Sequence, residues 1–143
     1  MNVARLRMVS VVVVAILAGG LSVAARAADW QQIAIDDDAN RYSVDAARII
    51  REGQLVKAFV RTEYASPRED EASGTRIFAA VDRLQVRCDE GSFALESRSY
   101  VTADSEEIPV LASDRETLKF RTAAPDSMSA AIVQRLCTPD RKR

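Results

Sequence analysis

Histidine is absent from all 143 residues, and cysteine occurs only twice. The first absence removes serine–histidine triads, histidine-ligated zinc and imidazole acid–base chemistry; the second removes four-thiolate metal sites. An excess of charge of one sign is also missing, with 20 Lys and Arg against 21 Asp and Glu. A chain so balanced has no overall field with which to grip nucleic-acid phosphates. No G-x-S-x-G elbow, phosphate-cradling glycine loop or dinucleotide fingerprint occurs. What is present is a hydrophobic content of 48% in a length that suits one small domain. The expectation is a protein that is not an enzyme, with no catalytic residue, no metal ligand and no cofactor.

The amino terminus reads as an export signal. Arg5 and Arg7 precede an apolar run over residues 8–17, and Gly19 and Gly20 break it. Ala25 and Ala27 are the small residues that a signal peptidase reads, which places cleavage between Ala27 and Ala28. A retained anchor needs about 20 predominantly apolar residues, and Ser10, Ser22 and the glycine pair interrupt this one. The expected division is a signal peptide at 1–27 and one domain at 28–143. No cysteine lies near the cleavage site to receive a lipoprotein acyl chain. The expected location is therefore the periplasm or the outside of the cell, with no stable membrane anchor after cleavage. Removal takes Arg5, Arg7 and Arg26 but no acidic residue, so the remainder is more acidic than the whole, which favours solubility.

Export decides how the two cysteines are read. In an oxidising compartment Cys88 and Cys137 are most simply one intramolecular disulfide, closing a loop for which chain entropy gives about 4 kcal/mol. Their spacing excludes a redox C-x-x-C site.

Hydrophobic alternation divides the rest. Residues 30–35 and 41–45 read as short strands around a polar turn at 36–40, while 46–50 are left without an assigned state. Residues 55–64 form a stronger strand, with Val56, Ala58, Val60, Thr62 and Tyr64 on one face. Residues 65–75, polar and holding Pro67 and Gly74, read as an exposed loop. Residues 76–88 and 93–101 read as a hairpin joined through Asp89, Glu90, Gly91 and Ser92, with Asp82 interrupting the apolar face as a bend, bulge or edge. Residues 108–112 and 117–122 read as two further short strands. The period then changes: after an N-cap at Asp126 or Ser127, Met128, Ile132 and Leu136 step by four with Val133 and Cys137 beside them. Cys137 thus ends the buried stripe of a helix, and a bond to Cys88 would clamp that helix to a sheet. Arg141, Lys142 and Arg143 read as a frayed tail.

Taken in order, Trp30, Arg41-Tyr42-Ser43-Val44-Asp45, Val60-Arg61-Thr62-Glu63-Tyr64, Arg87-Cys88 and Pro125-Asp126-Ser127 leading to Cys137 resemble the surface-adhesin protein E-like domains of exported bacterial proteins. The resemblance covers essentially all of residues 28–143. It implies an α+β fold: a single antiparallel sheet with a C-terminal helix packed on one face and tethered by the Cys88–Cys137 disulfide. The strand reading puts about six strands in that sheet. The resemblance also implies a binding role, since founding members are surface proteins that bind host extracellular proteins. Phe120 stands where the family usually has tryptophan, and the lipid-acceptor cysteine has no counterpart. No ligand-binding residue can be carried over from the family.

Other constellations admit plainer readings. Asp36, Asp38 and Asn40 begin like a calcium loop, but Arg41 replaces the turn glycine and Ala47 the closing glutamate, so a solvated turn is expected. Glu69-Asp70-Glu71 and Glu106-Glu107 have no neighbours that would tune them for catalysis. Tyr42, Tyr64, Tyr100 and Trp30 suit an aromatic binding face or core packing. Arg83, Arg87, Arg98 and Arg121 suit a cationic patch or ion pairs with residues such as Glu96. The function expected is exported binding of a protein partner, of the envelope or of a host, through the sheet face left free by the helix or through residues 65–75. The alternatives are an accessory module of a periplasmic envelope complex and, less favoured, a small hydrolase. N-terminal sequencing of the exported protein is expected to start at Ala28; a product that keeps residues 1–27 overturns the export reading.

Overall fold

The computed structural model describes residues 27–139. The leader read at 1–27 therefore lies outside the described residues, apart from Ala27, as does the basic tail at 141–143. The described residues fold as eight antiparallel strands and one α-helix: β1 (Trp30–Ile35), β2 (Arg41–Asp45), β3 (Ile50–Glu52), β4 (Leu55–Glu69), β5 (Arg76–Arg87), β6 (Ser92–Val101), β7 (Glu107–Ala112), β8 (Arg121–Thr122) and α1 (Met128–Cys137). They form one sheet in the order β1-β2-β4-β5-β6-β7. The short β3 prolongs the row of β2 along β4, and the short β8 prolongs that of β7 along β6.

The alternation in β4 fixes which face each residue takes. Val56, Ala58 and Val60 are exposed by no more than 2% and join Val44, Leu84, Val86 and Phe93 on the face that α1 covers. From the helix, Ile132, Val133 and Leu136 enter the same cluster. Ser127 caps α1, its hydroxyl accepting from the Ala130 N–H at 3.1 Å, while Asp126 turns the chain at φ 57°. Three ties hold the other end of the helix. Cys88, just past β5, is bonded to Cys137 over a sequence separation of 49. Arg51 of β3 donates to the Leu136 carbonyl at 2.5 Å, and Arg135 donates to Gln31 of β1 at 3.2 Å.

The opposite face holds a smaller cluster of Ala79, Val81 and Val101, against which Trp30 and Phe59 pack. Arg48 lies 4.2 Å from the Phe59 ring centre and 6.0 Å from that of Trp30. Arg48 also pairs with Asp45, whose side chain is wholly buried. Burial pushes the Asp45 carboxyl up, but Arg48 and the amides of Asp29 and Ala47 outweigh it and hold it below its usual value.

Four expectations need correction. The sheet has eight strands instead of about six: β3 is too short to show a period, and β8 keeps only the last two residues of the strand read at 117–122. Residues 65–69 belong to β4: the ladder slips so that residues 64–67 oppose only Phe78, then resumes with Arg68 opposite Ile77. Pro67 sits inside that slip, where a missing N–H leaves no rung unmade. The turn proper is residues 70–75, closed by Asp70, which accepts from the Ser73 N–H and hydroxyl. Residues 117–122 are mostly not strand; a 3₁₀ turn (Arg115–Thr117) precedes the two residues of β8. Asp82 marks neither an edge nor a bend. It is central in β5, and the bulge lies on the partner strand one step further on, where Glu96 is inserted into β6 opposite Arg83 and Leu84.

Among the described residues no helix is long and apolar enough to cross a membrane. Leu136 is the largest side chain with no exposure. Leu136→Ala is expected to destabilise the fold by about 2–5 kcal/mol, read as a lower urea midpoint at unchanged slope. A loss under about 1 kcal/mol would show that α1 is not packed as described.

Candidate binding groove between the helix and the sheet

The ladder registers sort the helix side of the sheet into rows. Val56, Val86 and Phe93 make one row, and Ala58, Leu84 and Leu95 the next. Their apolar surface is what α1 covers. The third row runs Val44, Val60, Asp82, Arg98, and the fourth Tyr42, Thr62, Ala80, Tyr100. Polarity therefore rises along the sheet toward the N-terminal end of α1, and there the layers part. A cavity of about 280 Å³ opens between Met128, Ser129 and Ile132 of the helix and the third and fourth rows of the sheet. A second, of about 350 Å³, continues from it past Tyr64, Arg68 and Arg98 to Tyr100 and Glu69-Asp70-Glu71.

The groove's polar groups are built from both ends. Behind Tyr42, Asp36 in the β1–β2 turn accepts from the Tyr42 hydroxyl at 2.9 Å, from the Asn40 side chain at 3.0 Å and from the amides of Asp38 and Asn40. The Asn40 side chain, with the Asp36 donors above, holds the Asp36 carboxyl below the usual aspartate value. Asn40 is itself buried and accepts from the Ala65 N–H at 3.1 Å, so the turn and the slipped part of β4 are one unit. Burial, then the bond to Asp36, pushes the Tyr42 hydroxyl up to about 12, against the pull of Arg68.

In the centre Arg98 meets Asp82 through two parallel bonds of 2.7 Å. Such a fork is the strongest form of the pair, and it raises the affinity of Arg98 for its proton well above the ordinary value despite burial. Beside it Tyr64 is raised by burial and drawn back by Arg68 and Arg98. Arg68 lies 4.1 Å from the Tyr64 ring centre, and Arg121 lies 4.8 Å from that of Phe93.

The structure thus gathers Tyr42, Tyr64 and Tyr100 and leaves Trp30 on the opposite face. Of the arginines, it brings Arg98 and Arg121 to the groove and separates the others. Arg83 pairs with Glu96 at 3.3 Å, as the plainer reading had it, and shares the far face with Gln85, which donates to the same carboxylate. Arg87 pairs with Glu90 and lies 3.8 Å from the Phe120 ring centre, at the hairpin end. Asp36 serves to shape its turn, with Ala39 at φ 63°. Arg68 and Asp82 were missed as site residues. Asp82 had a signal, a lone acid in an apolar face opposite Arg98; Arg68 had none, because the slip in β4 hides its face.

Comparison with known proteins bears on the whole described chain. Residues 30–138 match the family model described as surface-adhesin protein E. Two solved structures of Haemophilus influenzae protein E, one of them crystal form II, are similar in fold at a TM-score of 0.55 and 12% identity. Each likeness covers 74% of this chain, and respectively 83% and 86% of the other. No curated protein matches.

A lowered carboxyl stabilises the fold above its unfolded value and loses that contribution as the pH falls through the folded one. The Asp36 turn is therefore expected to hold at neutral pH and to loosen only in acid below the usual aspartate range. Tyr42→Phe removes one donor and is expected to move the Asp36 carboxyl upward, followed by carbon-detected NMR titration. An Asp36 titration unchanged by the substitution would contradict the bond described.

Proposed function

Because the chain belongs to the surface-adhesin protein E family, we propose that it is an exported, non-enzymatic domain that binds a protein partner in the groove beside the N-terminal end of α1. The observation that carries this reading is the polar part of the third and fourth rows, where tyrosines and arginines line two cavities that share Tyr64, Arg68 and Arg98. Tyrosine and arginine are the residues most used as anchors at protein contacts. The opposite face is less suited. Four of its cations are already matched, Arg83 with Glu96, Arg61 with Glu63, Lys57 with Glu52 and Arg48 with Asp45.

Catalysis is disfavoured at the centre of the groove. A general acid or base needs a carboxyl free to exchange a proton. Asp82 instead has both oxygens engaged by Arg98.

A photocrosslinking residue in place of Tyr100 is expected to trap a defined protein from envelope extract or from host extracellular matrix. The same residue in place of Gln32, on the opposite face, is expected to trap little. Which extract yields the adduct separates an envelope partner from a host one. Equal yields from both positions would move the contact surface away from the groove.

A further inference from the structure

We propose that the groove recognises the carboxyl-terminal end of a partner polypeptide whose last residue is apolar. This rests on the binding reading above and names the chemistry of what is bound. The charges around the first cavity are Arg68, Arg98, Arg121 and Asp82. Asp82 is consumed by the fork with Arg98, which leaves two guanidinium groups over. Among the described residues neither Arg68 nor Arg121 has a carboxylate partner; each is held against an aromatic ring instead. A ring attracts the cation but leaves its N–H groups unmatched, and a guanidinium fork fits a carboxylate in shape as well as charge.

The first turn of α1 adds the positive end of the helix dipole on the same side, with Met128 and Ser129 in the cavity wall. Beneath the cations the floor is apolar, made by Val60, Leu84, Phe93, Leu95 and Ile132. A negative group and an apolar side chain are therefore wanted together, within a volume of about 280 Å³ that suits one residue. With Asp82 fixed in the same wall, a singly charged carboxylate fits better than a dianion.

Length selects a polypeptide end over a compact acid. The second cavity shares Tyr64, Arg68 and Arg98 with the first and leads outward to Glu69, Asp70 and Glu71. A chain whose last residue fills the inner cavity has its preceding residues along the outer one, where a lysine or arginine meets the acidic rim. The order is basic residue first, apolar residue last, carboxylate inside.

The test uses a pool of acetylated pentapeptides that vary through the apolar residues at the last position, made once as free acids and once as amides. Binding is followed by NMR shifts of the Arg68 and Arg121 side chains and the Met128 and Ser129 amides. The acids are expected to bind at about tenfold lower concentration than the amides, as a charge-assisted contact predicts. R68Q and R121Q are expected to erase that difference, and K57Q on the opposite face to leave it intact. Acids and amides binding alike in the groove would overturn the carboxylate and leave the protein-binding reading standing. Hexanoate binding as tightly as the peptide acids would overturn the polypeptide in favour of a small acid. No shift from either pool at millimolar concentration would overturn the inference, and together with no adduct at Tyr100 it would remove the groove as a binding site.

Discussion

A helix of ten residues has too few internal hydrogen bonds to persist in water, so α1 exists only because something holds it. What holds it is concentrated at one end. Leu136 is wholly buried, Cys137 is bonded to Cys88, and Arg51 takes up the Leu136 carbonyl that the helix itself cannot satisfy. The entropy of a loop of 49 residues is thereby removed from the unfolded chain, worth about 4 kcal/mol in the loop-closure account. Without this end fixed, Val56, Val86 and their neighbours would be a bare apolar face.

Fixing one end has a consequence at the other. The first turn of α1 does not close on the sheet: Met128 and Ser129 border a cavity with Asp82, Arg98, Tyr42 and Tyr64. Polar side chains cannot be sealed beneath an apolar stripe without cost unless they are paired. Asp82 and Arg98 are paired with each other, and Tyr42 with Asp36, so this part of the sheet tolerates burial without requiring it. The groove is the place where the sheet's apolar rows run out before its strands do.

Much of this was legible in the sequence because it depends on alternation. The parity of β4 put Val56, Ala58, Val60, Thr62 and Tyr64 on one face, and the four-residue steps of α1 put Cys137 on its buried stripe. What was hidden depends on register, which no single strand displays. The slip after Glu63 turned an expected loop into strand and brought Arg68 to the groove. The insertion of Glu96 kept it with Arg83 while Arg98 returned to face Asp82, so arginines that looked like one patch divide between two faces. Strands as short as β3 and β8 show no period at all, and only their pairing to β4 and β6 defines them.

The division of charge between the two faces is the last step from structure to role. On the far face Arg48, Lys57, Arg61 and Arg83 already face acids, and a partner would have to displace those pairs to gain its own. Exchange of one ion pair for another yields little, because the pairs it replaces were already made in the free protein. On the helix side the central pair is closed, but Arg68 and Arg121 rest on aromatic rings, a weaker arrangement that leaves their donors available. A partner that supplies an acceptor there forms bonds the free protein does not have. The difference in free energy on binding therefore favours the helix-side groove, although both faces expose arginine and aromatic residues.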